Sequence, residues 1–167
     1  MQKKVLSEQS LYFGDVSMPK NYAIDRKELA HGILHTSLTG EEFPFSKTWD
    51  MLNTYIKEHI NLKYKIKLVN MKTWGDMYKP LELSPTLSNI NLIDLKNSPD
   101  YTLLYGLDVR DCVVTINYND NKRKGNTWNI NLENNKFIMF PSINTYYIKN
   151  NQKKSLNFIQ TITYEYI

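Results

Sequence analysis

From Tyr101 to Tyr166 the chain is a succession of short segments in which apolar and polar side chains alternate, each closed by a turn signal. Cys112–Tyr118 puts Val114, Ile116 and Tyr118 on one face, and Thr127–Leu132 returns with Trp128, Ile130 and Leu132. Between them Asn119–Gly125 is a polar hairpin loop. Asn134-Asn135 is a tight turn, and Tyr101–Tyr105, Phe137–Phe140, Thr145–Ile148 and Leu156–Tyr166 read as further strands. A period of two sends successive side chains to opposite faces of a sheet. Many short strands with frequent turns point to a sandwich or closed barrel, so the expected fold is mainly β, a jelly roll.

The first third reads differently. After a strand at Leu11-Tyr12-Phe13, Asp25 can cap a helix with Glu28 three residues on, and Leu29, Ile33 and Leu34 form its apolar stripe. Ser46 caps a second helix whose Trp49, Leu52, Ile56 and Ile60 recur at helical spacing, with Asn61 as its stop. From Lys63 the period becomes two: Tyr64, Ile66 and Leu68 alternate with Lys63, Lys65 and Lys67, a half-exposed strand whose lysines form a solvated face or protect a sheet edge. Residues 79–100 are broken by Pro80, Pro85 and Pro99 and read as a long loop with one short strand; loops of that length are often functional. The expectation is one domain over 1–167, with helical support in 1–62 packed outside one sheet of a barrel built from 63–167.

Composition narrows the function classes. At 167 residues, 41% hydrophobic and 23% charged, the chain is long enough for a real core. Its net charge of +4 comes from scattered lysines, which argues against nucleic acid as a partner, since nucleic-acid binders concentrate their cations. The densest basic run, Lys122-Arg123-Lys124, is a candidate contact loop or a solvated hairpin tip. The single cysteine, Cys112, permits no intramolecular disulfide; it suits the cytoplasm and reads as buried filler. No apolar stretch follows Lys3-Lys4, so neither a signal peptide nor a membrane span is expected. The abundance of Asn, Lys, Ile and Tyr suggests an AT-rich genome such as that of a phage or a marine bacterium. No partner can be named from the sequence, and a homo-oligomer stays open.

One stretch carries a family resemblance. Lys136-Phe137-Ile138-Met139-Phe140-Pro141-Ser142, with Thr145-Tyr146-Tyr147-Ile148 and the last strand, resembles the C-terminal half of the Fe(II)/2-oxoglutarate-dependent oxygenases. Trp74-Gly75-Asp76-Met77-Tyr78-Lys79-Pro80 resembles the segment before that family's first metal-binding His. The resemblance implies a double-stranded β-helix, cupin-like, with the two helices outside one sheet. It also implies a distal His after the Phe-Pro-Ser turn and an Arg or Lys on the last strand for 2-oxoglutarate. Iron of this class takes two His and a carboxylate on one face. Here the distal position is Tyr146, and the proximal pair falls either on Leu81-Glu82-Leu83 or on Gly106-Leu107-Asp108. The cation position falls near Asn157, with Lys153 and Lys154 displaced into the preceding loop. The three His (His31, His35, His59) all lie in the helical region.

The expected state is therefore a degenerate oxygenase-like barrel with no metal or cofactor and a binding or structural role. One alternative is an active enzyme that keeps Fe(II) and 2-oxoglutarate through Asp108, Glu82 and Tyr146. Another is an unrelated jelly roll serving a virion or its assembly. Aromatics are frequent enough (13%) to line a barrel mouth, and the candidate pocket set is Tyr78, Glu82, Tyr105, Asp108, Trp128 and Tyr146, within a wider set that includes Trp74, Tyr118 and Tyr147.

Overall fold

The structure, a computed structural model, describes every residue except Ser7, Ser17, Asn21 and 121–123. Eight strands and two helices follow one another as β1 (Tyr12–Asp15), α1 (Arg26–Thr39), α2 (Lys47–Tyr64), β2 (Leu68–Tyr78), β3 (Tyr101–Asp108), β4 (Cys112–Asn119), β5 (Gly125–Leu132), β6 (Lys136–Pro141), β7 (Tyr146–Asn150) and β8 (Asn157–Tyr166). A larger antiparallel sheet has the order β1-β6-β3-β8-β2, and a smaller one the order β5-β4-β7.

The stretch between β2 and β3 extends the smaller sheet. Leu81 N–H donates to the Gln152 carbonyl at 3.0 Å, Asn150 N–H to Glu82 at 3.0 Å and Ser84 N–H to Ile148 at 2.9 Å. Leu87 and Tyr146 then exchange both backbone bonds, at 2.7 and 3.1 Å. Pro85 cannot donate, which keeps this fourth strand irregular and at the sheet margin.

Both helices start where their caps dictate. The Asp25 side chain accepts from Glu28 N–H, and Ser46 from Trp49 N–H, each filling one of the donors a first turn leaves open. In α1 the buried stripe is Leu29, Gly32, Ile33 and Thr36. Leu34, expected in it, is 39% exposed, because one residue past Ile33 turns a side chain about 100° around the axis. In α2 the expected stripe of Trp49, Leu52, Ile56 and Ile60 is buried. The helix does not stop at Asn61 but runs to Tyr64. Lys65 closes it in a left-handed conformation (φ 62°), its N–H on the Asn61 carbonyl at 2.9 Å. Strand pairing therefore begins at Leu68, later than the alternation from Lys63 suggests, because Leu62 and Lys63 are good helix formers and a cap lies beyond them.

Strand alternation divides the core in two. On the outer face of the larger sheet, Leu103, Tyr105, Met139, Ile162 and Tyr164 pack against Leu29, Ile33, Trp49, Leu52, Ile56 and Ile60 of the helices. The approach is closest at Gly75, where an added Cβ would sit 2.6 Å from the Ile33 Cα. Tyr164 donates its buried hydroxyl to Asn53, whose amide donates to Asn70 at 3.0 Å, so α2 is tied to both β2 and β8. Between the sheets lies the second core, with Tyr78, Leu104, Cys112, Val114, Ile116, Phe140, Tyr146, Ile148 and Ile159. Cys112 is filler there, and burial pushes its thiol up to about 12. No helix of the described residues is long and apolar enough to cross a membrane.

Candidate functional site

Between the sheets, β2 and β8 present Trp74, Asp76 and Tyr78 opposite Thr161, Ile159 and Asn157, at every second register step. β7 presents Tyr146 from the other sheet. The side chain that meets it is Asn89, whose amide donates to the Tyr146 hydroxyl at 3.1 Å and to Thr102 Oγ1 at 3.1 Å. Two residues earlier, Leu87 is the backbone partner of Tyr146. Spacing of two places Leu87 and Asn89 on one side of their segment. Leu87-Ser88-Asn89 is thus the stretch that shares a site with the residue after the Phe-Pro-Ser turn. Leu81-Glu82-Leu83 pairs with β7 further along, at Lys149 and Asn150, and Gly106-Leu107-Asp108 lies at the end of β3.

That trio supplies an aliphatic side chain, an amide already committed as a donor, and a phenol. Burial pushes Tyr146 up to about 12; nearby Asp76 adds to the rise and the Asn89 amide opposes it. Among the described residues no three His, Cys, Asp or Glu side chains come together. This donor set does not fit the iron of the oxygenases, which needs imidazoles and a carboxylate.

The cation position, near Asn157, does not fit 2-oxoglutarate either. Asn157 is fully buried. Its Oδ1 accepts from the Arg110 N–H at 2.9 Å and from the Gln152 amide, while its Nδ2 has no partner. Its register partner Tyr78 is driven above the ordinary phenol range by burial and then by Asp76, Tyr146, Cys112 and Glu82, all acidic groups. Lys153 and Lys154 are exposed in the loop before β8. Among the described residues the Asn157 side chain has no cationic side-chain partner, and a carboxylate, Asp76, lies on the same face of the sheet.

Asp76 is half-buried. Burial raises its pKa above the ordinary value of 3.8, the Trp74 indole N–H bound at 3.1 Å lowers it, and Glu82 raises it. The folded chain therefore holds the proton more tightly than the unfolded one. The resulting cost is absent below the unfolded value, grows as pH rises through the window between the two values, and is complete above the folded one. Asp76→Asn keeps an acceptor for Trp74 and removes the charge. Its thermal midpoint is expected to rise near pH 7 and to match the parent near pH 3. A lower midpoint near pH 7, read by calorimetry, would mean that the ionised carboxylate holds the fold together.

The structure brings Tyr78, Tyr146 and, by its electrostatic coupling to Tyr78, Glu82 into one neighbourhood. The other pocket candidates lie elsewhere. Tyr105 points to the helix side, 6.1 Å from the Trp49 ring, with its hydroxyl on Asn135 at 2.8 Å. Asp108 is exposed at the end of β3. Trp128 is 39% exposed on β5, against Phe13 at 5.8 Å. Odd positions of β3 face the helices, which is why Tyr105 parts from the interior set. Of the basic loop, Lys122 and Arg123 lie outside the described residues, and Lys124 is exposed. Asp76 and Asn89, which the sequence reading did not single out, join the neighbourhood of Tyr146; alternation with Trp74 and Tyr78 would have pointed to the first.

Two open clefts border Trp74, sharing Met71 and Lys72 with it. One, of about 340 Å³, runs to Glu41 and Glu42, and the other, of about 520 Å³, runs past Asn89 and Asp94 to Thr163. The second is lined by Asn89, whose amide donates to Tyr146 between the sheets, and is termed the mouth of the barrel.

No family model matches the chain, and no curated protein matches it by sequence. Solved structures do match in shape. A Pseudomonas putida prolyl-4-hydroxylase superposes with a TM-score of 0.63 at 10% identity, over 94% of this chain and 88% of that one. A viral collagen prolyl hydroxylase from Paramecium Bursaria Chlorella virus-1, solved with 2-oxoglutarate, gives 0.60 at 12%, over 92% and 94%. A 2-oxoglutarate/Fe(II) oxygenase-family oxidoreductase from Burkholderia pseudomallei gives 0.52 at 7%, over 72% of this chain, which spans only 57% of that protein. With helices outside the larger sheet and the site between the sheets, the chain has the double-stranded β-helix fold of the 2-oxoglutarate/Fe(II) oxygenases.

Proposed function

We propose that this chain is an oxygenase-fold barrel that has given up iron chemistry and acts by binding at its mouth. The observation that carries the reading is the bond from Asn89 to Tyr146 beside Leu87. Those side chains close on one another around Tyr146, the position that the resemblance assigns to the distal metal ligand. A buried phenol with a raised pKa is a poor ligand unless it ionises, and its amide neighbour Asn89 presents donor hydrogens to it and to Thr102. Fold alone does not carry an activity, so the prolyl hydroxylase chemistry of the structural neighbours is not transferred.

The test is metal content. Protein incubated anaerobically with Fe(II) and 2-oxoglutarate, then desalted and assayed by elemental analysis, is expected to hold far less than one iron per chain. One iron per chain that requires 2-oxoglutarate would overturn the reading and restore an enzyme with unusual ligands. In that case variants at Glu82, Asp108 and Tyr146 would locate the ligands.

A further inference from the structure

We propose that the mouth of the barrel receives an organic cation, an alkylammonium head group, seated on the Trp74 indole above the Asp76 carboxylate. The inference rests on the binding role proposed above and adds the chemistry of the ligand.

Charge is the first argument. The chain as a whole is basic, at +4, yet the two clefts that share Trp74 carry Glu41, Glu42 and Asp94 against Lys72 alone, with Asp76 beside Trp74 on the barrel-facing side. Glu41 is paired with His35 at 3.0 Å, and the Asp94 carboxylate is held by Asn97 at 2.9 and 3.0 Å. Among the described residues no cation lies within ion-pair distance of Asp76. Lys72 is exposed, where salt screens it over about 8 Å. Asp76 itself lines neither cleft, but it is bonded to Trp74, which lines both, and a half-buried carboxylate without a counter-ion next to such a residue is suited to a cation brought by a ligand.

Geometry is the second argument. The Trp74 N–H is bound to Asp76 Oδ2 at 3.1 Å, which fixes the edge of the indole on the carboxylate, and Trp74 lines both clefts. Indole faces are the best aromatic surfaces for cations, and desolvation strengthens the contact. A divalent metal is disfavoured, since one carboxylate and an indole do not make a coordination set. A dicarboxylate such as 2-oxoglutarate would meet Asp76 as a like charge.

The test uses the full chain labelled with ¹⁵N. The indole resonance of Trp74, assigned by its loss in Trp74→Phe, reports directly on the group bonded to Asp76. Choline and an Nε-trimethyllysine peptide are the cationic probes, and 3,3-dimethyl-1-butanol is the neutral isostere. A saturable shift with a cationic probe is expected. It should weaken by about tenfold or more with the isostere and in Asp76→Asn. It should persist in Asp94→Asn. Tighter binding of the peptide than of choline would assign the cation to a polypeptide side chain, and equal binding to a free small molecule. An equal response to the isostere, an unchanged response in Asp76→Asn, or no response to either cation would overturn the proposal. Iron content is scored separately: iron uptake would remove the parent reading, whereas iron-free protein that ignores the cations would remove this one alone.

Discussion

A chain carrying Leu87→His, Asn89→Asp and Tyr146→His together is expected to bind Co(II) at one ion per chain, with an affinity at least ~100-fold above that of the parent. The three positions already face one another. Leu87 and Tyr146 exchange two backbone bonds, and Asn89 reaches the Tyr146 hydroxyl. Replacing them supplies two imidazoles and a carboxylate without moving the backbone. The measurement is the visible spectrum of Co(II) with equilibrium dialysis. Tyr146→His also trims a ring that packs on Phe140 at 5.0 Å, so some stability will be lost, on the order of 1–3 kcal/mol. The metal-free variant must therefore first be shown folded by circular dichroism. A folded variant that ignores Co(II) would sink the assignment of Leu87, Asn89 and Tyr146 as the closed metal site. Gain of metal would show that three side chains, and not the backbone, separate this barrel from a metal-binding one.

The second large effect is steric. Gly75→Ala is expected to destabilise the fold by about 3 kcal/mol and to lower its thermal midpoint by roughly 6–12 °C. The new Cβ would meet Ile33 Cα and Cγ1 at 2.6 Å and its Cβ at 2.8 Å. A backbone atom cannot rotate away, so α1 would have to lift off β2 as a body. The control is Gly125→Ala, where an added Cβ meets nothing within 4 Å and the change should stay within about 0.5 kcal/mol. If Gly75→Ala matched that control, α1 would not lie on β2 as described. The effect also bears on the mouth, because Gly75 sits between Trp74 and Asp76 and a displaced strand would move both.

Much of the fold was legible because its signals are local. Asp25 with Glu28, and Ser46 before Trp49, announce helices within a single turn, and the hairpin strands β4 and β5 alternate cleanly on either side of a polar loop. The Phe-Pro-Ser turn located Tyr146 for the same reason. The other half of the site was hidden because its signal is not local. The partner of Tyr146 lies 59 positions earlier, in a proline-broken stretch, and only the sheet brings Leu87 to it. Without that register the motif Leu81-Glu82-Leu83 sits at an equally plausible distance from Trp74, and Gly106-Leu107-Asp108 has the better carboxylate. Parity was the other obstacle. Tyr78 and Tyr105 are alike in composition and burial, yet one belongs to the interior of the barrel and the other to the helix side.

The backbone pair between Leu87 and Tyr146, with the Asn89 amide beside it, finishes the smaller sheet using only groups the chain itself carries. A barrel whose opposed side chains are unpaired carboxylate and imidazole depends on an ion to quiet them. On the proposed reading, one stitched in this way would have no such dependence. Its maturation would then be complete once the chain has folded, and a cell starved of iron or deprived of oxygen would hold as much of the working form as one with plenty of both.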